Sequence, residues 1–315
     1  LYYSDISLDG IYKIDVTEEN PTATLVASGF SDPYGLCLDG NDLYVADRSN
    51  FKIKKLDITS SLPATPTVVV TGLSQRPTDI AISGNDLYYT TENNGTNGKL
   101  FKTDKTNAAS STELVSGLGV PVGLKISGDF IYYSEFIGNK SIYKLDITQS
   151  GATPVTVSSN INQPAYFLID GNDMYIPVRL DNKIVRLDIT STLPTTTTDV
   201  ITGTGDMPST VAIIGDEMFI GEYYTGRITK ISLATLSNDD LLLSQKIEVY
   251  PNPSKNLIQV SGLRKPETSE IYKTMGQIVK KGVVGENEEI DIQNLTNGVY
   301  FLKLEKANSM KFVKK

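Results

Sequence analysis

The stretch NDLYVADRSNFKIKKLDIT, residues 41–59, decides the fold, because the chain writes close variants of it at 85–106, 129–148, 172–190 and 216–233. Inside each copy the apolar residues alternate by two, as in "DLYVAD" and "KIKKLDI". That is the period of a strand with two distinct faces, not of a helix. A polar turn divides each copy, so each reads as an antiparallel pair. Working upstream, a proline opens every copy: Pro33, Pro77, Pro121, Pro164 and Pro208 lie 44, 44, 43 and 44 residues apart. They begin "PYGLCLDG", "PTDIAISG", "PVGLKISG", "PAYFLIDG" and "PSTVAIIG", each a further short strand closed by glycine. Downstream, segments such as "TVVVTGL" and "TELVSGL" supply a fourth strand.

Four short strands in a cycle of about 40–45 residues, punctuated by Gly, Asn and Pro, are the pattern of a propeller blade. A lone four-stranded sheet cannot cover both of its faces. Stacking sheets around an axis covers them and leaves only short edges. A linear solenoid or a run of separate hairpins fits the four-strand cycle less well. Matching "LYY" at Leu1 to "LYV" at Leu43 gives six units, so residues 1–236 are expected to form an N-terminally truncated six-bladed β-propeller. The first unit lacks a Pro-led strand and the last stops after "RITKISLATL". The native polypeptide is therefore expected to extend upstream by at least about 20–25 residues, and a whole further unit there would make seven blades.

The segment "PYGLCLDGNDLYVADRSNFKIKKLD" is similar to the repeat of NHL propellers, and "LYYSD…IYKID" resembles the YWTD propellers of lipoprotein receptors with Tyr in place of Trp. This resemblance implies the ring. It implies little about activity, since such rings host binding modules, lactonases and lyases alike.

After "ATLSNDDLLLSQ" the period is lost, and residues 237–245 read as a linker. Residues 246–315 carry period-two strands separated by Pro-Asn-Pro, Met-Gly-Gln and Asn-Gly turns, the pattern of a small antiparallel β-sandwich. The whole chain is thus expected to be all-β. Charge changes sign at the same place: residues 245–315 hold 12 Lys+Arg against 8 Asp+Glu, whereas the preceding residues hold 17 against 29. A body at −12 disfavours nucleic acid and anionic membrane as partners, because both select positive charge. No apolar run approaches the roughly 20 residues that span a bilayer.

In that tail, "VYPNPS", "IYKTMGQIV" and "IQNLTNGVYFLKLE" followed by "KFVKK" resemble, in order, the C-terminal sorting domain (type A, Por) of type IX secretion clients of Bacteroidetes. The resemblance implies an N-terminal export signal and passage across the outer membrane directed by residues 246–315. It also implies the type IX machinery as a partner. The mature protein would then be secreted or held on the outer-membrane surface.

Composition narrows the chemistry. The chain has no histidine, which removes Ser-His-Asp and Cys-His catalysis and histidine metal sites; streptogramin-lyase-like propellers, by resemblance, rely on histidine. Its one cysteine, Cys37, lies in an inner-strand context and reads as a small buried hydrophobe. No Walker loop, GxGxxG or EF-hand loop occurs. No catalytic residue is therefore assigned.

Alternating strand direction places two sets of residues on one face of the ring. Starts of inner strands bring Tyr34, Thr78, Asp79, Val122, Tyr166 and Ser209 near the axis. Turns between second and third strands bring Asp5, Asp47, Glu135 and Glu222 to matching places, interrupted by Thr91 and Val178. Beside them lie Arg48, Glu92, Phe136, Arg179 and Tyr223. Four matched carboxylates are the donor type for Ca²⁺ or a cationic ligand. The stronger reading has each one accept hydrogen bonds from its own turn. Tyr34, Asp47, Arg48, Asp79, Glu135, Phe136, Arg179, Glu222 and Tyr223 are the candidate ligand-binding residues, with Tyr224 also expected to be exposed. The preferred function is a non-catalytic binding or scaffold propeller that recognises a protein, peptide or glycan. The alternative is a metal-dependent hydrolase or lactonase at the channel mouth, for which Asp79 is the one clear inner-strand carboxylate; a metal site is not assigned.

Overall fold

The computed structural model describes residues 1–204, 207–233, 248–261, 267–273, 277–285, 288–304 and 307–315. The chain divides into two compact units, Leu1–Lys230 and Ile231–Lys315. The expected linker at 237–245 and the expected boundary at 236 lie outside the described residues.

The first unit is a β-propeller of six antiparallel sheets in chain order. Sheet one holds β1 (Tyr2–Asp5), β2 (Gly10–Lys13) and β3 (Thr24–Ala27). Sheet two runs β4 (Pro33–Asp39), β5 (Asp42–Asp47), β6 (Lys52–Asp57) and β7 (Thr67–Val70) from the axis outward. Sheet three follows with β8 (Arg76–Ser83), β9 (Asp86–Asn93), β10 (Thr96–Asp104) and β11 (Thr112–Leu118). Sheet four has β12 (Pro121–Ser127), β13 (Phe130–Glu135), β14 (Ser141–Asp146) and β15 (Val155–Ser158). Sheet five has β16 (Leu168–Asp170), β17 (Asp173–Val178), β18 (Lys183–Asp188) and β19 (Thr198–Thr202). Sheet six has β20 (Pro208–Ile214), β21 (Glu217–Glu222) and β22 (Ile228–Ser232).

Neighbouring tyrosines show why the sheets need one another. Tyr88 and Tyr89 are adjacent in β9, so they point to opposite faces of one sheet. Both are buried. Tyr88 packs with Leu124, Ile131 and Tyr133 of the next blade, while Tyr89 packs with Tyr44, Ile53 and Val70 of the previous one. The repeated "LYY" therefore fills two inter-blade cores, not one core and one solvent face. Each such ring removed from water contributes about 2–3 kcal/mol, and neither could be covered within a single sheet.

The inner strands begin irregularly. Pairing with the second strand slips just after Pro33, Pro77, Pro121 and Pro208. A bulge there bends the strand and re-aims the next side chains, which is how the residues following each proline come to face the axis. Opposite blades meet there: the rings of Tyr34 and Tyr166 lie 6.4 Å apart, edge to face. Tyr166 also donates its hydroxyl to the Thr78 carbonyl at 3.2 Å.

The second unit is a small β-sandwich. One sheet pairs β23 (Glu248–Tyr250), β24 (Leu257–Ser261) and β27 (Glu289–Asp291). The other orders β26 (Ile278–Val284), β25 (Glu267–Lys273), β28 (Gly298–Leu304) and β29 (Ala307–Lys314). Ile258 and Val260 of the first sheet bury against Ile271, Tyr300, Leu302 and Phe312 of the second, with the period of two that the sequence shows.

Candidate functional site

The turns between second and third strands build one face of the propeller, and in four of them a carboxylate ends the second strand. Asp47 is fully buried; it accepts from Ser31 N at 2.7 Å and from Asn50 Nδ2, and pairs with Lys54 at 2.7 Å. Asp5 accepts from Ser7 N and Leu8 N. Glu135 accepts from Gly119 N, and its other oxygen is buried with no hydrogen-bond partner. Glu222 accepts from the hydroxyls of Thr225 and Thr229. Asp5 and Glu222 thus serve their own turns, Asp47 serves its turn and Ser31 besides, and Glu135 departs from the expectation by bonding Gly119 in the loop before its inner strand. Among the described residues no three Asp, Glu or Cys side chains converge as a metal donor set.

Asp79 is buried. It accepts from Ile80 N at 2.9 Å and Leu124 N at 2.8 Å, and Lys125 lies 3.4 Å from it. Burial holds its carboxyl above the ordinary range, against the pull of Lys125 and the two backbone donors. Nearby, burial pushes the Cys37 thiol up to about 11, leaving it a protonated, unreactive group at neutral pH.

The residues fifteen positions beyond each proline form the mouth: Arg48, Glu92, Phe136, Arg179 and Tyr223. Arg48 bonds Glu92 of the next blade at 2.7 Å and Asp32 at 2.5 Å. Its guanidinium also lies 4.7 Å over the Tyr34 ring. Arg76 sits 3.6 Å from the same Glu92. Across the axis, the Arg179 guanidinium rests 3.8 Å over Tyr223 and 5.5 Å from Phe136. Tyr34 is half-buried rather than presented. Burial raises its hydroxyl pKa, Arg48 and Arg179 pull it down, and Asp32 and Tyr223 push it up.

The same face is unusually apolar at its surface. Exposed large hydrophobic residues recur in the second-to-third-strand turns: Ile6 and Leu8, Phe51, Ile137, Leu180, then Tyr223 and Tyr224. They come from five of the six blades, and Tyr224 is 73 % exposed. Sequence reasoning reached Tyr223 and Tyr224 but missed the aliphatic members. The signal was present: large apolar residues inside turns whose flanking strands already had their period-two core residues. It also missed Asp32 and Gln163, which directly precede two of the prolines.

Sequence comparison addresses the tail. The family model for the secretion-system C-terminal sorting domain matches residues 248–315. Those residues are a type IX sorting domain. The sorting domain marks the protein for secretion or display at the cell surface, and implies processing by the type IX machinery. Beta-agarase A of Zobellia galactanivorans is 31% identical over 106 residues, which are 31% of this chain and 20% of that protein. The chain thus spans a fifth of the length of that curated relative. Among solved structures, the nidogen/laminin complex contains a chain similar to this one with a TM-score of 0.62 and 16% identity, covering 73% of this chain and 88% of that one. A gluconolactonase of Xanthomonas campestris matches with a TM-score of 0.55 and 13% identity over 70% of this chain and 77% of that one. Both likenesses establish the propeller fold. Among the described residues no helix is long and apolar enough to cross a membrane.

Proposed function

We propose that this protein is a surface or secreted binding module of a Bacteroidetes bacterium, whose propeller recognises another protein through the mouth face and catalyses no reaction. One observation carries the reading: the exposed Ile6, Leu8, Phe51, Ile137, Leu180, Tyr223 and Tyr224 all lie in second-to-third-strand turns, which open on one face. Exposed apolar groups scattered singly need no explanation, but their recurrence in the same turn of five blades is what supports an interaction surface here. Aromatic anchors among aliphatic neighbours are the composition of a protein interface core. Aliphatic side chains offer nothing to the hydroxyls of a sugar, which favours a polypeptide over the glycan also raised by the sequence.

A photo-crosslinking residue placed at Tyr224 tests this in the producing bacterium, with Val68 or Val155 on the outer strands as controls. A discrete polypeptide adduct from position 224 alone is expected. Identical adduct patterns from all three positions, or none from 224, would refute the assignment of this face.

A further inference from the structure

Resting on that reading, we propose that the partner seats an Asp or Glu carboxylate on Arg179, with apolar side chains beside it meeting the rim. The blades contain their own control. Arg48 and Arg179 occupy the same place in the repeat, fifteen residues beyond Pro33 and Pro164. Their backbones match. Arg48 N donates to the Asp32 carbonyl at 3.3 Å, and Arg179 N to the Gln163 carbonyl at 3.1 Å. Asp32 and Gln163 are both left-handed, at φ 56° and 62°. Each arginine opens a 3-10 turn, Arg48–Asn50 or Arg179–Asp181, closed by left-handed Phe51 or Asn182.

Their side-chain partners differ: Arg48 lies over Tyr34, Arg179 over Tyr223 and Phe136, and their acidic surroundings are unlike. Around Arg48 the acids are Asp32, just before the proline, and Glu92, at the matching seat of the next blade. Around Arg179 the same two places hold Gln163 and Tyr223. Among the described residues no carboxylate pairs with Arg179; its polar environment is two aromatic faces. Its Nε, like that of Arg48, is buried without an acceptor. One arginine is neutralised twice over, and its repeat-mate has no acidic partner among the described residues.

Such a guanidinium clamped between rings is a prepared anion seat. The rings fix its plane, so little side-chain entropy remains to be lost when a carboxylate binds in bidentate fashion. Stacking on an aromatic face leaves its in-plane N–H groups free. The surrounding unit is acidic, with 17 basic and 29 acidic residues before position 245, so a broadly acidic partner would be repelled. One carboxylate set among apolar residues is therefore the complementary surface.

Panning a phage-displayed random peptide library on the immobilised full-length chain tests the seat. Enriched peptides are expected to share an Asp or Glu flanked by apolar residues. Arg179→Gln should weaken their binding by about tenfold or more. Gln163→Asp leaves Arg179 in place but supplies the acid found beside Arg48, and should weaken binding similarly with no loss of thermal stability. Peptides lacking an acid, or indifferent to both variants, overturn the carboxylate seat. If they still depend on Leu180→Ser or Tyr224→Ser, the binding face survives that failure; if they depend on none of these, both fall. Arg179-dependent capture of an acidic polysaccharide such as alginate, with no peptide selected, would overturn the polypeptide partner.

Discussion

Gly35 and Asp79 meet where the inner strands of two blades pass each other. A Cβ added at Gly35 would lie 2.1 Å from Asp79 Oδ1, 2.6 Å from Asp79 Cα and 2.8 Å from the Thr78 carbonyl. Two of those atoms are backbone and cannot swing aside. Gly35→Ala is expected to cost about 3 kcal/mol in denaturant unfolding, the overpacking penalty at its upper range; a loss below a few tenths would contradict the packing described. Asp79 itself predicts a pH effect. Burial raises its pKa in the folded state, so on raising pH from about 4 the unfolded chain releases this proton first. Folding then loses stability until Asp79 ionises in the native state. Asp79→Asn removes that loss, so the melting temperature of the variant minus that of the wild type should grow more positive between acid and neutral pH. A flat or falling difference would count against it. At this scale the sequence was partly legible. The proline spacing pointed to Tyr34, Asp79 and the seats at Arg48 and Arg179, because repetition numbers equivalent positions. Which arginine is neutralised was not legible, since Asp32 and Gln163 lie outside the quoted motifs and act only once the blades are side by side.

The recurring Asp-x-Thr at the end of the third strand shows what an element needs in order to stop. Asp57 Oδ1 accepts from both the backbone N–H of Thr59, at 2.8 Å, and its hydroxyl, at 2.6 Å. Asp104, Asp146 and Asp188 do the same with Thr106, Thr148 and Thr190, and Asp15 does so with Thr17. Such a turn satisfies backbone donors that the strand has ceased to pair. In every case the threonine hydrogen bonds hold the aspartate pKa below its ordinary value. A depressed pKa contributes stability that is present above the unfolded value and lost as pH falls through the folded one. Replacing Thr59, Thr106, Thr148 and Thr190 together by Val should therefore lower the melting temperature at pH 7. The gap to wild type should shrink as the pH falls below about 3–4. A gap that widens in acid would show that these aspartates do not hold the turns. The elements themselves were the most legible part of the chain. Period-two alternation and glycine turns are local signals, and "LYVAD" or "KIKKLDI" needs no distant partner to be read. The surface turns were less so, because a Leu or Ile in a loop looks like core until its neighbours are shown to be full.

At the scale of the whole molecule, two units with separate cores divide the labour. The sandwich packs Ile258, Ile271, Leu302 and Phe312 within itself. The propeller packs its own residues blade against blade, and its buried core runs from Ile11 in the first sheet to Ile220 in the last. Deleting residues 248–315 is accordingly expected to abolish export while leaving the β-rich circular dichroism of the propeller in place. Cell fractionation with an antibody to the propeller checks the first part; full secretion of the shortened chain would contradict the role of the tail. The ring was legible because every 44 or so residues restate one sheet, and a sheet that cannot cover both faces must find neighbours. The partner was not legible, because no repeat unit records what the assembled face touches.

The seat fifteen residues past each proline has a consequence for descent. At Arg48, Phe136, Arg179 and Tyr223 the backbone is held by the same main-chain bond to the residue before the proline, whichever side chain the seat carries. Arg, Glu, Phe, Arg and Tyr already fill it around a single chain. A lineage can therefore retarget this face one codon at a time, swapping sockets on a wheel that never has to be rebuilt.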